Sequence, residues 1–68
     1  MAADKAVKRL RRELCMGLGE FAKLIPVTLG TVHHWETNIR TPRHIHMRKM
    51  LEIAKQHNIK LTVKDFFD

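Results

Sequence analysis

The sequence predicts an all-α fold, a compact bundle of five short helices that forms a single domain over residues 1–68. Apolar residues recur at spacings of three and four positions, and the strict alternation of a half-buried strand is weak throughout. The chain contains only 3 glycines and 2 prolines, which fall where helix boundaries are expected. A length of 68 residues allows one hydrophobic core and leaves no room for a second domain.

The first two helices are predicted over residues 4–16 and 18–24. Gly17 is expected to end the first helix, and Pro26 ends the second because the residue before a proline avoids the α region. Small Ala22 is expected where two helices cross closely. The apolar stripes that would face the core are Ala3, Val7, Leu10 and Leu14 in the first helix and Phe21, Leu24 and Ile25 in the second.

The third and fourth helices are predicted from their capping residues. Thr28 is a suitable N-cap for the third helix, and Asn38 tolerates the left-handed conformation of a carboxyl-terminal residue. Thr41 and Pro42 are expected to open the fourth helix, with the proline at its first position, and Asn58 ends it. The inward residues are Val32 and Trp35 in the third helix and Met47, Met50, Leu51 and Ala54 in the fourth, and Thr62 caps a final short turn.

The charge of the chain favours one class of partner. Lysine and arginine number 13 against 7 aspartates and glutamates, which gives a formal charge of +6. Such a charge attracts polyanions, so nucleic acid is the first partner to consider. An enzyme is not expected, because a cofactor pocket and a substrate cleft need more scaffold than this, and no cofactor is predicted. The lack of a long apolar stretch and of a signal peptide predicts a cytoplasmic location and no membrane partner.

The second and third predicted helices form a helix-turn-helix unit over about residues 18–37. Its second helix is the one that enters the DNA major groove in proteins of this type. The motif continues as Phe21-Ala22-x-x-Ile25-x-Val27-Thr28-x-x-Thr31-Val32-x-x-Trp35-Glu36-x-x-x-Arg40-x-Pro42. This pattern resembles the Cro/repressor-type (XRE-like) helix-turn-helix family of phage and bacterial regulators, over roughly residues 10–67. Pro26 stands where the family has a glycine, so this turn must take another conformation.

The resemblance implies a five-helix, lambda-repressor-like domain that binds operator DNA, usually as a homodimer, in a bacterial or phage-derived, nucleoid-associated setting. The residues that would face the bases are Thr28, Leu29, Gly30, His33, His34 and Thr37. Histidine can donate to guanine or to phosphate, but few of these side chains can form two hydrogen bonds to one base. DNA shape and phosphate contacts are therefore expected to contribute more to binding. The phosphate contacts are expected from Lys23, Arg40, Arg43 and His44.

Several residues have an alternative interpretation. The family pairs residues equivalent to Arg11 and Glu36, and a half-buried structural ion pair is favoured over a DNA contact by Arg11. Trp35 is favoured as a core residue over a base-stacking platform. The single cysteine, Cys15, excludes an internal disulfide framework and is expected to be a small buried hydrophobe. No metal site is expected from the five histidines, because none form an i, i+4 pair, but protonation of His33 or His34 would strengthen DNA binding.

The remaining alternatives concern partners. Phe66 and Phe67 are adjacent, so one should lie near the surface, either in a carboxyl-terminal plug or, with Ile45 or Ile53, in a dimer contact. The basic face of the first helix, which contains Lys5, Lys8, Arg9 and Arg12, is favoured as solvated surface over a nucleic-acid contact.

The leading function is a sequence-specific double-stranded DNA-binding repressor that acts by operator occupancy. The alternative is an antitoxin or adaptor whose main partner is a toxin or other protein, with autoregulatory DNA binding. A membrane-surface or RNA-binding peptide is disfavoured, because the apolar residues should be consumed by a core.

Overall fold

The computed structural model describes residues 2–67, which form four α-helices and one 3₁₀ turn. No β-strand forms in this range, so the all-α prediction is confirmed. The fifth predicted helix is only a four-residue 3₁₀ turn. The Cα radius of gyration is 10.4 Å, close to the value of about 11 Å expected for a compact chain of this length. The elements are α1 (Ala2–Glu13), α2 (Leu18–Leu24), α3 (Leu29–Glu36), α4 (His44–Gln56) and the 3₁₀ turn (Val63–Phe66).

A single core joins these elements. Helix α1 packs against α3, α4 and the 3₁₀ turn, and α2 packs against α3. Ala22 is buried on α2. Val32 and Trp35 both point inward, and the prediction that they are core residues is confirmed. The largest fully buried side chains are Phe21, Phe66, Leu10, Met50, Val7 and Val32.

Three helices end in the same way, with one residue in the left-handed conformation. The φ angles are 57° at Cys15, 64° at Asn38 and 57° at Asn58. In each case the next amide returns to a carbonyl five residues earlier, which satisfies an orphan acceptor of the last helical turn. The predictions for Asn38 and Asn58 are confirmed. The returning bonds are Met16 to Arg11 at 3.1 Å, Ile39 to His34 at 2.9 Å and Ile59 to Ala54 at 2.8 Å.

The predicted end of the first helix and the predicted burial of Cys15 are both wrong. Helix α1 ends at Glu13, and Cys15 rather than Gly17 takes the left-handed position. Because the chain reverses at that residue, the cysteine side chain lies on the surface. Gly17 instead precedes α2 as its N-cap, where its N–H donates to Glu20 Oε1 at 3.0 Å.

The predicted start of the fourth helix is also wrong. Pro42 is buried, and the chain is still extended at Arg43, with φ −74° and ψ 161°. Helix α4 therefore begins at His44, two residues after the buried proline. Leu51 is only half-buried, whereas Ile53, expected off the stripe, is buried in its place.

The segment that leads to the 3₁₀ turn is tied to α1. Arg9 Nη2 donates to the carbonyl of Lys60 at 2.6 Å, and Arg9 Nε donates to Glu13 at 2.9 Å. At the turn, the Thr62 N–H donates to Asp65 Oδ2 at 2.8 Å, which satisfies one free donor. None of the helices formed by residues 2–67 combines the length and apolar character needed to cross a bilayer.

Candidate nucleic-acid interface

The connection between α2 and α3 positions the candidate interface. The Val27 N–H donates to the carbonyl of Ala22 at 2.7 Å and closes the turn, in which the Ile25–Pro26 peptide bond is cis. Helix α3 then begins after Thr28, whose side-chain oxygen accepts from the Thr31 N–H at 3.2 Å. This N-cap satisfies one of the free N–H groups in the first turn of α3.

One flank of α3, which we term the inner flank, consists of Val32, Trp35 and Glu36. All three side chains are buried. The Trp35 ring lies 5.3 Å from the ring of His46 on α4, measured between centroids. The inner flank thus anchors α3 to the rest of the domain through a large aromatic group and, at its end, through an ionic one.

The ionic anchor is a pair between Arg11 on α1 and Glu36. Arg11 Nε and Nη2 donate to the two carboxylate oxygens at 2.6 and 2.9 Å, and Nη1 donates to the Met16 carbonyl at 3.0 Å. The side chains are 17% and 5% exposed, respectively. The bond to Glu36 raises the pKa of Arg11 despite the opposing effect of burial. All three guanidinium nitrogens are therefore used within the protein, as expected for a structural pair.

The opposite flank of α3, which we term the outer flank, consists of Leu29, Gly30 and His33 together with the C-cap Thr37, and the N-cap Thr28 lies beside it. All five residues are exposed. Gly30 leaves the backbone open, because a Cβ atom added there would meet nothing within 4 Å. At one edge of this flank Leu29 lies beside α2, because a Cβ atom added at Gly19 would meet Leu29 Cδ1 at 3.7 Å.

Two hydroxyl groups near the outer flank already have partners. The Thr37 hydroxyl donates to the His33 carbonyl at 2.8 Å, and the hydroxyls of Thr28 and Thr31 lie 2.8 Å apart. His34 differs from His33, because the residue is half-buried. Its backbone carbonyl accepts hydrogen bonds from the N–H groups of Ile39 and Arg40, which follow α3. The exposed polar side chain at the centre of the outer flank is therefore that of His33, whose ring lies 6.3 Å from that of His34 between centroids.

Basic side chains lie near both ends of the helix-turn-helix unit. Lys23 lies on α2, Arg40 lies in the loop after α3, and Arg43 is the N-cap of α4. All three are exposed, and none has an ion-pair partner within residues 2–67. His44 is exposed too, but its ring lies 6.4 Å from that of Phe67.

The dimer candidates divide into buried and exposed residues. Phe66 is 1% exposed and Ile53 is also buried, so neither is available to a partner. Phe67 is 59% exposed and Ile45 is 71% exposed. The prediction that one of the two adjacent phenylalanines lies near the surface is confirmed, and Ile45 and Phe67 remain the candidates.

Sequence reasoning did not single out Ile39, which lies exposed between the left-handed Asn38 and Arg40. The available signal was an isolated apolar residue in a polar loop. The described residues contain no group of three or more His, Cys, Asp or Glu side chains that could hold a metal ion.

No protein-family model, no curated protein and no solved structure matches this chain. The resemblance in the motif therefore stays a prediction.

Proposed function

We propose that the protein is a sequence-specific double-stranded DNA-binding regulator that represses by occupying its operator, with α3 in the major groove. The observation that carries the proposal is the asymmetry of α3, whose inner flank is anchored in the core while its outer flank is exposed. A helix held in this way presents side chains to a duplex without losing the contacts that fix its orientation.

The dimensions and charge of α3 suit a groove. An α-helix with its side chains is about 10–12 Å in diameter, so the major groove, about 12 Å wide, admits it. The acidic residue of α3 is Glu36, and that carboxylate is bound to Arg11. The outer flank therefore brings no negative charge towards the phosphates.

Base readout would be modest. His33 can donate to guanine N7 or O6, and Leu29 and the methyl group of Thr28 can contact thymine methyl groups. Gly30 lets the backbone approach the DNA closely. Because the hydroxyls of Thr28 and Thr37 already have partners, sequence-dependent shape should contribute a large share of specificity.

Phosphate contacts would come from the unpaired cations Lys23, Arg40 and Arg43. Each such contact releases counterions, so the affinity should fall steeply with salt, with a log–log slope of several units. Replacing Arg40 with glutamine should lower the slope by about one unit, whereas Lys64→Gln, an exposed control on the 3₁₀ turn, should leave it unchanged.

A homodimer on DNA is part of the proposal, with Ile45 and Phe67 as contact residues. Two α3 helices would then lie one DNA turn apart, about 34 Å, on a palindromic operator. Selection of bound duplexes from a random pool tests both points. We expect one enriched motif with two-fold symmetry, and the same selection with Gly30→Glu, which places a carboxylate on the outer flank, should enrich nothing. Recovery of unrelated sequences by the native protein, or an unchanged motif from Gly30→Glu, would contradict the proposal.

A further inference from the structure

A second surface of the domain combines apolar walls with positive charge. A cleft of about 540 Å³ lies between the last turns of α4 and the segment that leads into the 3₁₀ turn. We term it the α4 cleft. It is lined by the apolar residues Leu51, Ile59, Leu61 and Val63 and by the exposed lysines Lys55 and Lys60.

The apolar walls of the cleft are partly accessible to solvent. Val63 is 55% exposed, and the other three apolar residues are half-buried. The bond from Arg9 to the Lys60 carbonyl and the cap between Thr62 and Asp65 hold the intervening segment against the domain. The cleft is thus formed before any partner arrives, which lowers the entropic cost of binding.

The charge of the cleft is of one sign. The ammonium groups of Lys55 and Lys60 have no ion-pair partner within residues 2–67, and none of the described residues that line the cleft is acidic. An occupant that fits must bring apolar side chains for the walls and carboxylates for the lysines. An amphipathic helix with acidic residues beside its apolar face has this chemistry.

We propose that the α4 cleft binds a partner protein through an amphipathic segment in which apolar side chains are flanked by carboxylates. A second copy of this chain fits less well, because a two-fold contact would set Lys55 and Lys60 against the same lysines. Most described carboxylates are already bonded within the molecule, Glu13 to Arg9 and Glu36 to Arg11 among them. A nucleic acid would use the lysines but leave the apolar walls without contacts.

The α4 cleft is separate from the proposed DNA contact. No residue of α3 lines it, and the 3₁₀ turn packs on α1 and α4, whereas α3 packs on α1 and α2. The two proposals therefore stand or fall independently. A partner in the cleft should leave the outer flank of α3 free, so a duplex and the partner segment should bind together.

The test uses synthetic peptides of about twelve residues, enough for roughly three helical turns. One peptide carries leucines at helical spacing on one face and glutamates on either side of that face. Its matched versions carry glutamine or lysine in place of each glutamate. Binding to the isotope-labelled, full-length protein is followed by amide chemical shifts. We expect the glutamate peptide to shift amides of residues 51–63 most and to bind more tightly than both matched versions.

Two pairs of variants locate the contact. Lys55→Glu should weaken binding of the glutamate peptide about fivefold, whereas Lys64→Glu, which has the same charge change outside the cleft, should have little effect. Val63→Ser should weaken binding more than Ile39→Ser, although Ile39 is 65% exposed and therefore at least as accessible. Each variant is checked for an unchanged amide spectrum before the titration.

Three results would overturn the proposal. The first is a lack of selective binding at the cleft, seen either as equal binding of the glutamate and lysine peptides or as chemical-shift changes outside the cleft. The second is self-association that Val63→Ser abolishes and Ile39→Ser does not, which would make a second copy the occupant. The third is protection of the cleft amides by duplex DNA, which would make this surface a nucleic-acid contact.

Discussion

The two flanks of α3 lie on one short helix but differ in their surroundings. The inner flank is buried and holds a tryptophan and an ion-paired glutamate, whereas the outer flank is exposed. Because of this difference, we expect that some substitutions in α3 change the stability of the domain and others change its affinity for DNA. Changes on the inner flank should alter the free energy of unfolding, and changes on the outer flank should alter affinity for a duplex.

The largest expected effect lies on the inner flank. Trp35→Ala should lower the free energy of unfolding by about 3–5 kcal/mol, because it removes a buried aromatic side chain and leaves a cavity. That loss is comparable to the whole stability of a small domain, so the cooperative unfolding transition should weaken or vanish. Urea denaturation followed by far-ultraviolet circular dichroism measures it. Leu29→Ala on the outer flank serves as the control and should change stability by less than about 0.5 kcal/mol. Equal effects of the two substitutions would remove the distinction between the flanks.

The second prediction concerns the ionic end of the inner flank. Glu36→Gln should lower the free energy of unfolding by about 2–3 kcal/mol, because Arg11 is left half-buried without its counter-charge. The same variant should keep the native salt dependence of duplex affinity. If the salt slope becomes steeper by about one unit instead, the Arg11 side chain released by the substitution contacts a phosphate.

The pH dependence of this pair has a defined sign for Arg11. Since the bond to Glu36 raises the pKa of Arg11, the stabilisation linked to that shift is fully present below the ordinary arginine range. It is lost only as the pH rises through the folded-state pKa, in strongly alkaline solution. Arg11 should therefore add no pH dependence to stability near neutral pH.

The third prediction concerns the pH dependence of duplex affinity and the two histidines of α3, His33 and His34. Histidine side chains in general gain a proton between about pH 8 and pH 5.5, so duplex affinity at fixed salt should rise about three- to tenfold over that interval. The double variant His33→Asn, His34→Asn should lose most of the rise, as measured by fluorescence anisotropy. His57→Asn, an exposed histidine at the end of α4, should retain it. A flat native profile would exclude a role for the two histidines at the phosphates.

The smallest effect is expected at Gly30, and its two readouts should have opposite signs. Gly30→Ala should raise the free energy of unfolding by about 0.5–1 kcal/mol, because alanine is the better helix former and the added Cβ meets nothing within 4 Å. Duplex affinity should nevertheless fall if the backbone approaches DNA closely at this point. Thermal unfolding and anisotropy on one sample measure both quantities. A more stable variant with unchanged affinity would place Gly30 outside the contact.

Local chemistry predicted part of the fold well. The tolerance of asparagine for positive φ predicts a helix end at Asn38, and Asn58 is predicted to end the fourth helix; both adopt positive φ. Cysteine has no such preference, so the left-handed position of Cys15 was missed. Leu51, predicted for the apolar stripe of the fourth helix, packs against the core while half-buried, and Ile53, predicted as a possible dimer contact, is buried. Both lie on one helix, and the packing of α4 against distant elements decides which one is buried.

The candidate site could be predicted in outline and not in detail. Helical periodicity assigned Val32 and Trp35 to the inside, and His33 on the other side of the helix is exposed. The hydroxyl bonds of Thr28 and Thr37 depend on side-chain rotamers that periodicity does not reveal. The α4 cleft was missed altogether, because its walls come from a helix and a following segment that meet only in the folded chain.

The most direct test of the account is amide chemical-shift mapping of the full-length protein with its selected duplex. We expect the largest changes at the outer flank, residues 28–33 and Thr37, with smaller changes beside Lys23, Arg40 and Arg43. Amides of the α4 cleft should stay in place. Changes concentrated at the cleft or on α1, with the outer flank unaltered, would contradict the claim that α3 is the DNA-reading helix.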